Sequence, residues 1–219
     1  MTDRTQTTAD VLARLREGNR RFASGDANRF SVEEAEHRRH LADGQYPSAV
    51  VLACADSRVP PTLVFDQGLG ELFITRVAGN VVTPEQIGSV EFAASQLGTR
   101  LVVVLGHSRC GAVEATLDEM TRPNPQLSPN IRAITDLIRP AVERVAKDPT
   151  PHALASLDAS ERTDLLERSV RANVMKAVDD LLAGSELLQG LQSSGELTVV
   201  AAEYCLETGA VDFLTSTAA

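Results

Sequence analysis

The chain of 219 residues is poor in several features, and each shortage excludes a class of protein. No apolar run approaches the roughly 20 residues that a membrane-spanning helix needs. The N-terminal residues also lack the apolar core of a secretory signal. Lysine and arginine number 21 against 30 aspartates and glutamates, and the formal net charge of -9 argues against binding to nucleic acid or to an anionic membrane surface. We therefore expect a cytoplasmic protein with neither nucleic acid nor membrane as a partner.

Cysteine is scarce as well, and tryptophan is absent. Cys54, Cys110 and Cys205 are too few, and odd in number, for a disulfide framework. In a reducing compartment, cysteine combined with histidine indicates a metal site or a reactive thiol. For Cys205 we prefer the interpretation of an inert, buried small hydrophobe. Three histidines lie in polar stretches and are interpreted as surface residues: His37, His40 and His152.

What the chain does contain is the pattern of an α/β fold. Hydrophobic residues make up 43% and charged residues 23%, which is typical of a globular protein. Four nearly continuous apolar runs predict strands that are buried on both faces, at 48–54, 72–77, 101–105 and 197–202. Helical periodicity fills the intervals, at 85–97, 111–120, 131–146 and 160–182. The alternation predicts a mostly parallel central sheet flanked by helices, and residues 207–214 predict a turn followed by a short antiparallel edge strand.

We expect a single domain over 1–219, made of an N-terminal helical arm over 1–45 and an α/β core over 46–219. The arm is predicted to hold two helices, at 9–24 and, with Ser31 as N-cap, at 31–41. Both helices contain few apolar residues, so they either bury a narrow apolar stripe against a partner subunit or lie on the surface of their own domain. A proline-rich helical insert is predicted at about 121–157.

Two polar segments follow predicted strands and carry the chemistry. Cys54-Ala55-Asp56-Ser57-Arg58 follows the first apolar run, and Gly106-His107-Ser108-Arg109-Cys110-Gly111 follows the run at 101–105. Ligands of open α/β sheets bind outside the carboxyl ends of the strands, so two neighbouring strands could bring Cys54, His107 and Cys110 together.

Two thiolates and an imidazole suit zinc, and three protein ligands leave the fourth tetrahedral position to water. Cys110 is predicted to open a helix, whose dipole favours the thiolate. A redox pair is the first alternative, but the chain has no C-x-x-C motif. A nucleophile elbow over 106–110 is the second, although Cys110 stands where that motif requires glycine.

The motifs Cys54-x-Asp56-Ser57-Arg58 and Gly106-His107-Ser108-x-Cys110-Gly111 together resemble the β-class carbonic anhydrase family. The resemblance covers nearly the whole chain, with further similar segments at 15–22, 70–80 and 204–213. It implies one Zn2+ per chain on Cys54, His107 and Cys110, with an Asp56–Arg58 pair beside the metal. The implied activity is the reversible hydration of CO2 to bicarbonate and a proton.

The resemblance also implies a small, largely apolar substrate pocket in a homodimer or tetramer. Its members would be Gln45, which reaches the pocket across the dimer interface, and Phe73, Ala78, Phe92 and Gly111. Phe92 replaces a tyrosine of many plant-type members, so a hydroxyl is lost.

Two more positions distinguish this chain within the family. Gln96 replaces a histidine that is proposed to shuttle protons in some members. Val51 replaces the tryptophan that usually marks members with a bicarbonate-controlled off state, so the pocket resembles the plant-like group.

In the implied mechanism, zinc turns water into a hydroxide that attacks CO2. Asp56 accepts the hydrogen bond of this hydroxide and aims it, while Arg58 holds Asp56 in a bidentate pair. Because two thiolates neutralise the zinc, we predict a higher operating pKa than in an all-histidine site, with better activity at alkaline pH.

Three alternatives stay open. Asp56 could close the fourth zinc position at low pH and reopen it at higher pH. The protein could be a zinc-stabilised binding or bicarbonate-sensing protein without turnover, with Asp56 closing the metal site permanently. It could also be a related hydrolase that attacks carbon disulfide.

Overall fold

The central feature is a five-stranded sheet. A computed structural model describes residues 6–27, 38–39 and 41–216. Its strands are β1 (Ala49–Cys54), β2 (Leu72–Val77), β3 (Leu101–His107), β4 (Thr198–Tyr204) and β5 (Val211–Ser216). They lie in the order β2-β1-β3-β4-β5; the first four strands are parallel, and β5 runs antiparallel to β4. The prediction of a mostly parallel sheet with an antiparallel edge strand is therefore confirmed.

Eight helices of the described residues flank this sheet. They are α1 (Thr8–Ser24), α2 (Pro61–Val64), α3 (Pro84–Gln96), α4 (Gly111–Thr121), α5 (Pro129–Val145), α6 (Pro151–Ala155), α7 (Ala159–Ala183) and α8 (Glu186–Ser193). The short helices α2 and α8 were not predicted, since one or two turns leave too few residues for a periodic signal. Of the predicted helix at 31–41, only residues 38, 39 and 41 belong to the described part of the chain. Among the described residues, no helix is both long and apolar enough to cross a membrane.

Both faces of the sheet are covered at β1 and β3, which explains their continuous apolar runs. The prediction of burial on both faces is wrong for β2, because this strand lies at the edge of the sheet and all six of its residues are half-buried. All six residues of β1 and all seven of β3 are buried. Val50 and Leu52 pack on one face against residues of α3, α7 and α8. Val51 and Ala53 pack on the other face with residues of α1.

The first helix lies on its own domain. Val11 and Leu15 of α1 are buried in the same cluster as β1, so the apolar stripe of this helix is covered within the chain. Asn19 of α1 adds hydrogen bonds to other segments of the same chain. Its Nδ2 donates to the backbone oxygens of Val64 (3.1 Å) and Gly209 (2.8 Å), and its Oδ1 accepts from the Val211 N–H at 2.7 Å. Of the two interpretations of this helix, packing on its own domain is the one the contacts support.

The proline-rich region forms the helices α5 and α6. Ser128 caps α5, Pro129 occupies its first turn, and Pro140 lies inside it. Ile138 and Val142 of α5 are buried in a cluster that also contains Cys54 and Cys110. The region is therefore part of the wall behind the two candidate ligand sulfurs.

Candidate metal centre

Three candidate ligands converge at the carboxyl edge of the sheet. Cys54 is the last residue of β1, His107 is the last residue of β3, and Cys110 is the residue before α4. Because β1 and β3 are parallel neighbours with Ala53 paired to Leu105, their ends meet. The three side chains are buried, and their ligand atoms all lie within 4.8 Å of one another.

The second motif begins inside the strand, which corrects the expected boundary at residue 105. β3 continues through Gly106 and His107 because both pair in register with β4. Close packing of α7 explains the glycine, since a Cβ at Gly106 would lie 2.3 Å from Cγ2 of Val174. Arg109 then turns the chain into α4 with a φ of 54°, in the left-handed region that non-glycine residues rarely adopt.

His107 presents one ring nitrogen to the cluster. Its Nδ1 lies 2.9 Å from the backbone oxygen of Ser108. A carbonyl oxygen only accepts, so the proton belongs on Nδ1 and the lone pair on Nε2. Nε2 is buried and has no hydrogen-bond partner among the residues that the structure describes. A buried acceptor without a partner costs about 1–3 kcal/mol, and a metal ion that accepts this lone pair removes that cost.

The two cysteine sulfurs shift each other's pKa in opposite directions. The hydrogen bond from Cys110 lowers the pKa of the Cys54 thiol to about 4, although burial opposes the shift. The backbone N–H of Gly79 also donates to Cys54 Sγ, at 3.2 Å. The same sulfur–sulfur hydrogen bond and burial raise the pKa of Cys110. Two cysteine sulfurs and the Nε2 lone pair of His107 form a donor set that fits Zn2+.

A carboxylate lies beside these ligands and is held by an arginine. Arg58 donates from Nε to Asp56 Oδ1 at 3.0 Å and from Nη2 to Oδ2 at 2.7 Å, and its backbone N–H adds a third bond at 2.9 Å. The Arg58 side-chain hydrogen bonds hold the pKa of Asp56 well below its usual range. Asp56 Oδ2 lies 3.8 Å from His107 Nε2, so the charged group sits next to the ligand atoms.

A second arginine, Arg76 in β2, holds the main chain of the same loop. It donates from Nε to the backbone oxygen of Cys54 at 2.8 Å and from Nη2 to that of Asp56 at 2.5 Å. The sequence analysis did not select Arg76, although a single charge inside the apolar run at 72–77 was an available signal. Gly79 and its hydrogen bond to sulfur were also missed, and no pattern in the sequence indicates that contact.

Two of the five predicted pocket residues lie at this edge. Ala78 begins the tight turn Ala78–Asn80, directly before the residue that donates to Cys54. Gly111 is the first residue of α4, next to Cys110. Both are therefore adjacent to the cluster in the same chain.

The other three pocket residues lie toward the opposite edge of the sheet. Phe73 of β2 pairs with Val50 of β1, and Val77, four residues later in β2, pairs with Cys54. Phe73 therefore lies about 13 Å along the strand from the position that pairs with Cys54. The Phe92 ring lies 6.3 Å from that of Phe73 and is 48% exposed. Gln45 is exposed on the segment that precedes β1. The fold separates these three residues from the cluster of their own chain.

Cys205 and His152 are not part of the described ligand cluster. Cys205 is half-buried in the turn between β4 and β5, so its interpretation as a buried core residue is wrong. The Thr208 side chain hydrogen-bonds its thiol and lowers the pKa of Cys205. His152 is exposed, as predicted. His37 and His40 lie outside the described residues.

The fold and the site together define an α/β protein with a buried two-cysteine, one-histidine cluster at the carboxyl edge of its sheet. The family model described as "Carbonic anhydrase" matches residues 49–211. The chain belongs to the carbonic anhydrase family and, within it, to the β class. This membership supports carbonic anhydrase activity for the chain.

Three known proteins illustrate the relationship. Carbonic anhydrase 2 of Mycobacterium tuberculosis is 38% identical over 195 residues, which cover 89% of this chain and 87% of the relative. A Coccomyxa β-carbonic anhydrase in complex with acetazolamide superimposes with a TM-score of 0.69 at 26% identity, over 96% of this chain and 87% of the other. One of two tetrameric β-carbonic anhydrases from Sordaria macrospora reaches a TM-score of 0.71 over 95% of this chain and 100% of the other; at 20% identity it shows the fold alone.

Proposed function

We propose that this protein catalyses the reversible hydration of CO2 to bicarbonate and a proton, with one Zn2+ per chain held by Cys54, His107 and Cys110. The observation that carries the proposal is the buried cluster whose ligand atoms lie within 4.8 Å of one another. The Nε2 lone pair of His107 supports it, because within the described part of the chain no group donates a hydrogen bond to that atom. Membership of the carbonic anhydrase family supplies the reaction.

Zn2+, when bound, supplies a Lewis acid that makes a water molecule nucleophilic near neutral pH. The chain itself fixes the direction of attack. Asp56 stays ionised because its hydrogen bonds with Arg58 lower its pKa, so its carboxylate only accepts hydrogen bonds. Beside the ligand atoms, this carboxylate would accept a hydrogen bond from the O–H of the attacking group and so orient it toward CO2.

Arg58 and Arg76 keep that carboxylate in place. Arg58 occupies both carboxylate oxygens in a two-pronged, charge-assisted pair. Arg76 donates hydrogen bonds to the backbone oxygens on either side of residue 55, so both the side chain and the main chain of Asp56 are held by an arginine. This arrangement supports the role of Asp56 in orienting the reacting group, since a misplacement of about 1 Å can cost about 100-fold in rate.

We also propose that the working unit is a homodimer or tetramer. Gln45, Phe73 and Phe92 lie far along the sheet from the cluster of their own chain, so they would complete the pocket of a partner subunit. Ala78 and Gly111 would line the pocket of their own chain. The Sordaria macrospora relatives are described as tetrameric, which agrees with an assembly of this kind.

A second candidate function is a closed metal site without turnover, and one distance favours it. Asp56 Oδ2 lies 3.8 Å from His107 Nε2, so a carboxylate released by Arg58 could occupy the fourth zinc position. The protein would then be a zinc-stabilised binding protein, or an enzyme that closes at low pH. In the described structure Arg58 engages both carboxylate oxygens, which favours the open site.

The decisive experiment combines elemental analysis with a stopped-flow assay of CO2 hydration. Wild type is expected to contain one zinc per chain and to lose turnover when a chelator removes it. Cys54→Ser and Cys110→Ser should lose zinc and activity together. Cys205→Ser is the matched control, because its sulfur lies outside the cluster, and it should keep both.

Three results would contradict the proposal. The metal centre is wrong if purified wild type contains no stoichiometric metal, or if zinc survives in both ligand variants. Full zinc without CO2 hydration would select the closed, non-catalytic site instead. X-ray absorption spectroscopy at two pH values separates a permanently closed site from one that closes only in acid.

A further inference from the structure

The tight turn after β2 donates a hydrogen bond to a candidate ligand sulfur. Gly79 and Asn80 adopt φ values of 70° and 45°, so two successive residues are left-handed. This conformation directs the Gly79 N–H at Cys54 Sγ over 3.2 Å. The orientation of this backbone N–H therefore depends on the left-handed conformation of the turn.

Packing closes one side of this turn. A Cβ at Gly79 would lie 2.6 Å from Ile138 Cδ1 in α5 and 3.0 Å from Ala112 Cβ in α4. The glycine is consequently in close contact with two helices and has no room to move toward them. Packing of this kind limits movement in one direction but does not fix the rotation of the adjoining peptide.

A hydrogen bond from a third helix fixes the other side. Asn173 of α7 is 3% exposed, and its Nδ2 donates to the backbone oxygen of Gly79 at 2.8 Å. The contact joins positions 94 residues apart in the sequence. Gly79 is thus held at its carbonyl by Asn173 while its N–H points to the sulfur.

We propose that Asn173 is a positioning residue of the metal centre, acting through Gly79 to hold the N–H···S hydrogen bond on Cys54. The inference rests on the proposed function. A hydrogen bond to a metal-bound thiolate withdraws electron density from the sulfur, so the metal stays more electron-poor and a stronger Lewis acid. Loss of the Asn173 amide would let the turn rotate and weaken that bond.

The test replaces zinc with Co2+ and records the sulfur-to-cobalt charge-transfer absorption. In Asn173→Leu, which keeps volume but removes the donor, we expect the band to move to longer wavelength, because a thiolate without its N–H partner gives up an electron more easily. In the zinc form, kcat/KM should fall about 10-fold, the lower end of the usual cost of losing an outer partner of a metal ligand. Asn173→Ala provides a second variant if Asn173→Leu does not fold.

Ser169→Ala is the matched control. Ser169 lies one helical turn before Asn173 on α7 and is fully buried, and its hydroxyl has no hydrogen-bond partner in the described ranges of the chain. This variant should leave the absorption band and kcat/KM unchanged. A shift of equal size in Ser169→Ala would overturn the inference, because any disturbance of α7 would then suffice.

The outcomes separate this inference from the proposed function. A wild-type Co2+ protein without a charge-transfer band would overturn the thiolate metal centre itself. A wild-type band whose position does not change in folded Asn173 variants would overturn only the role of Asn173, even if their activity falls. A shift to longer wavelength in the Asn173 variants but not in Ser169→Ala supports the proposal.

Discussion

Removal of the Arg58 side chain tests the orientation of the reacting group directly. Arg58→Ala deletes the two side-chain hydrogen bonds to Asp56, at 3.0 and 2.7 Å, and leaves only the bond from its backbone N–H. Asp56 keeps its position in the chain but loses the contact that fixes its carboxylate plane. We expect kcat/KM for CO2 hydration to fall by about 10- to 100-fold, the usual cost of losing an outer partner at a metal site.

The expected loss is geometric and does not come from protonation. Without Arg58 the pKa of Asp56 rises toward the ordinary value of an aspartate, about 3.9, which is still far below neutral pH. The carboxylate therefore remains charged at pH 7 and above in both proteins. Above neutral pH the activity of the variant should follow the same pH dependence as wild type, at a uniformly lower level.

The assay is stopped-flow CO2 hydration with zinc content measured on the same samples. Arg58→Lys should fall between wild type and Arg58→Ala, since an ammonium cannot reproduce the two-pronged contact. Arg109→Ala is the control for charge, because its exposed side chain pairs with Glu207 and not with Asp56. Wild-type turnover in zinc-loaded Arg58→Ala would refute the reasoning, as would an equal loss in Arg109→Ala.

Three further predictions concern the pH profile and the stability of the fold. Because two thiolates and a neutral imidazole offset the charge of Zn2+, kcat/KM should rise from neutral into alkaline pH, and a profile that is flat down to mildly acidic pH would contradict this. Gly106→Ala should lower the free energy of unfolding by about 1–3 kcal/mol, because the added methyl group would overpack against Val174. In urea titrations, adding Val174→Ala should recover part of that loss. Strictly additive losses would show that the two side chains do not meet. Asn19→Leu removes three hydrogen bonds that join α1 to Val64 and to the β4–β5 hairpin. The free energy of unfolding should therefore fall by about 2–4 kcal/mol. An unchanged urea midpoint would show that these hydrogen bonds do not hold α1 on the domain.

Most of the sheet and the position of the cluster could be predicted from the sequence. Strands buried on both faces leave continuous apolar runs, and a parallel sheet brings the ends of such runs to one edge, so Cys54 could be placed near His107 and Cys110. The boundary of β3 was two residues short, because Gly106 and His107 have polar or neutral character although both are buried. Apolar runs mark where a strand is covered by apolar groups and do not mark where its pairing ends.

Contacts between segments that are distant in the chain could not be predicted from the sequence. Asn173 is one polar residue on a long helix, and nothing in its neighbourhood in the chain indicates that it meets Gly79. Arg76 was closer to being found, since a buried charge needs partners, but the sequence does not say that these are the backbone oxygens of Cys54 and Asp56. Cys205 was predicted to be buried because free cysteine usually behaves as a small core hydrophobe. It lies one residue beyond the end of β4, in a turn where it is only half-buried.

Two of the three candidate ligands lie at the ends of different strands, and this would link metal uptake to chain folding. The Cys54 thiol and the His107 imidazole meet only after β1 and β3 have aligned, so a newly made chain could not assemble the full ligand set before this part of the sheet has formed. Incorporation of zinc during refolding would then report when the two strands pair. A chain without the ion would lack a link between the ends of these strands.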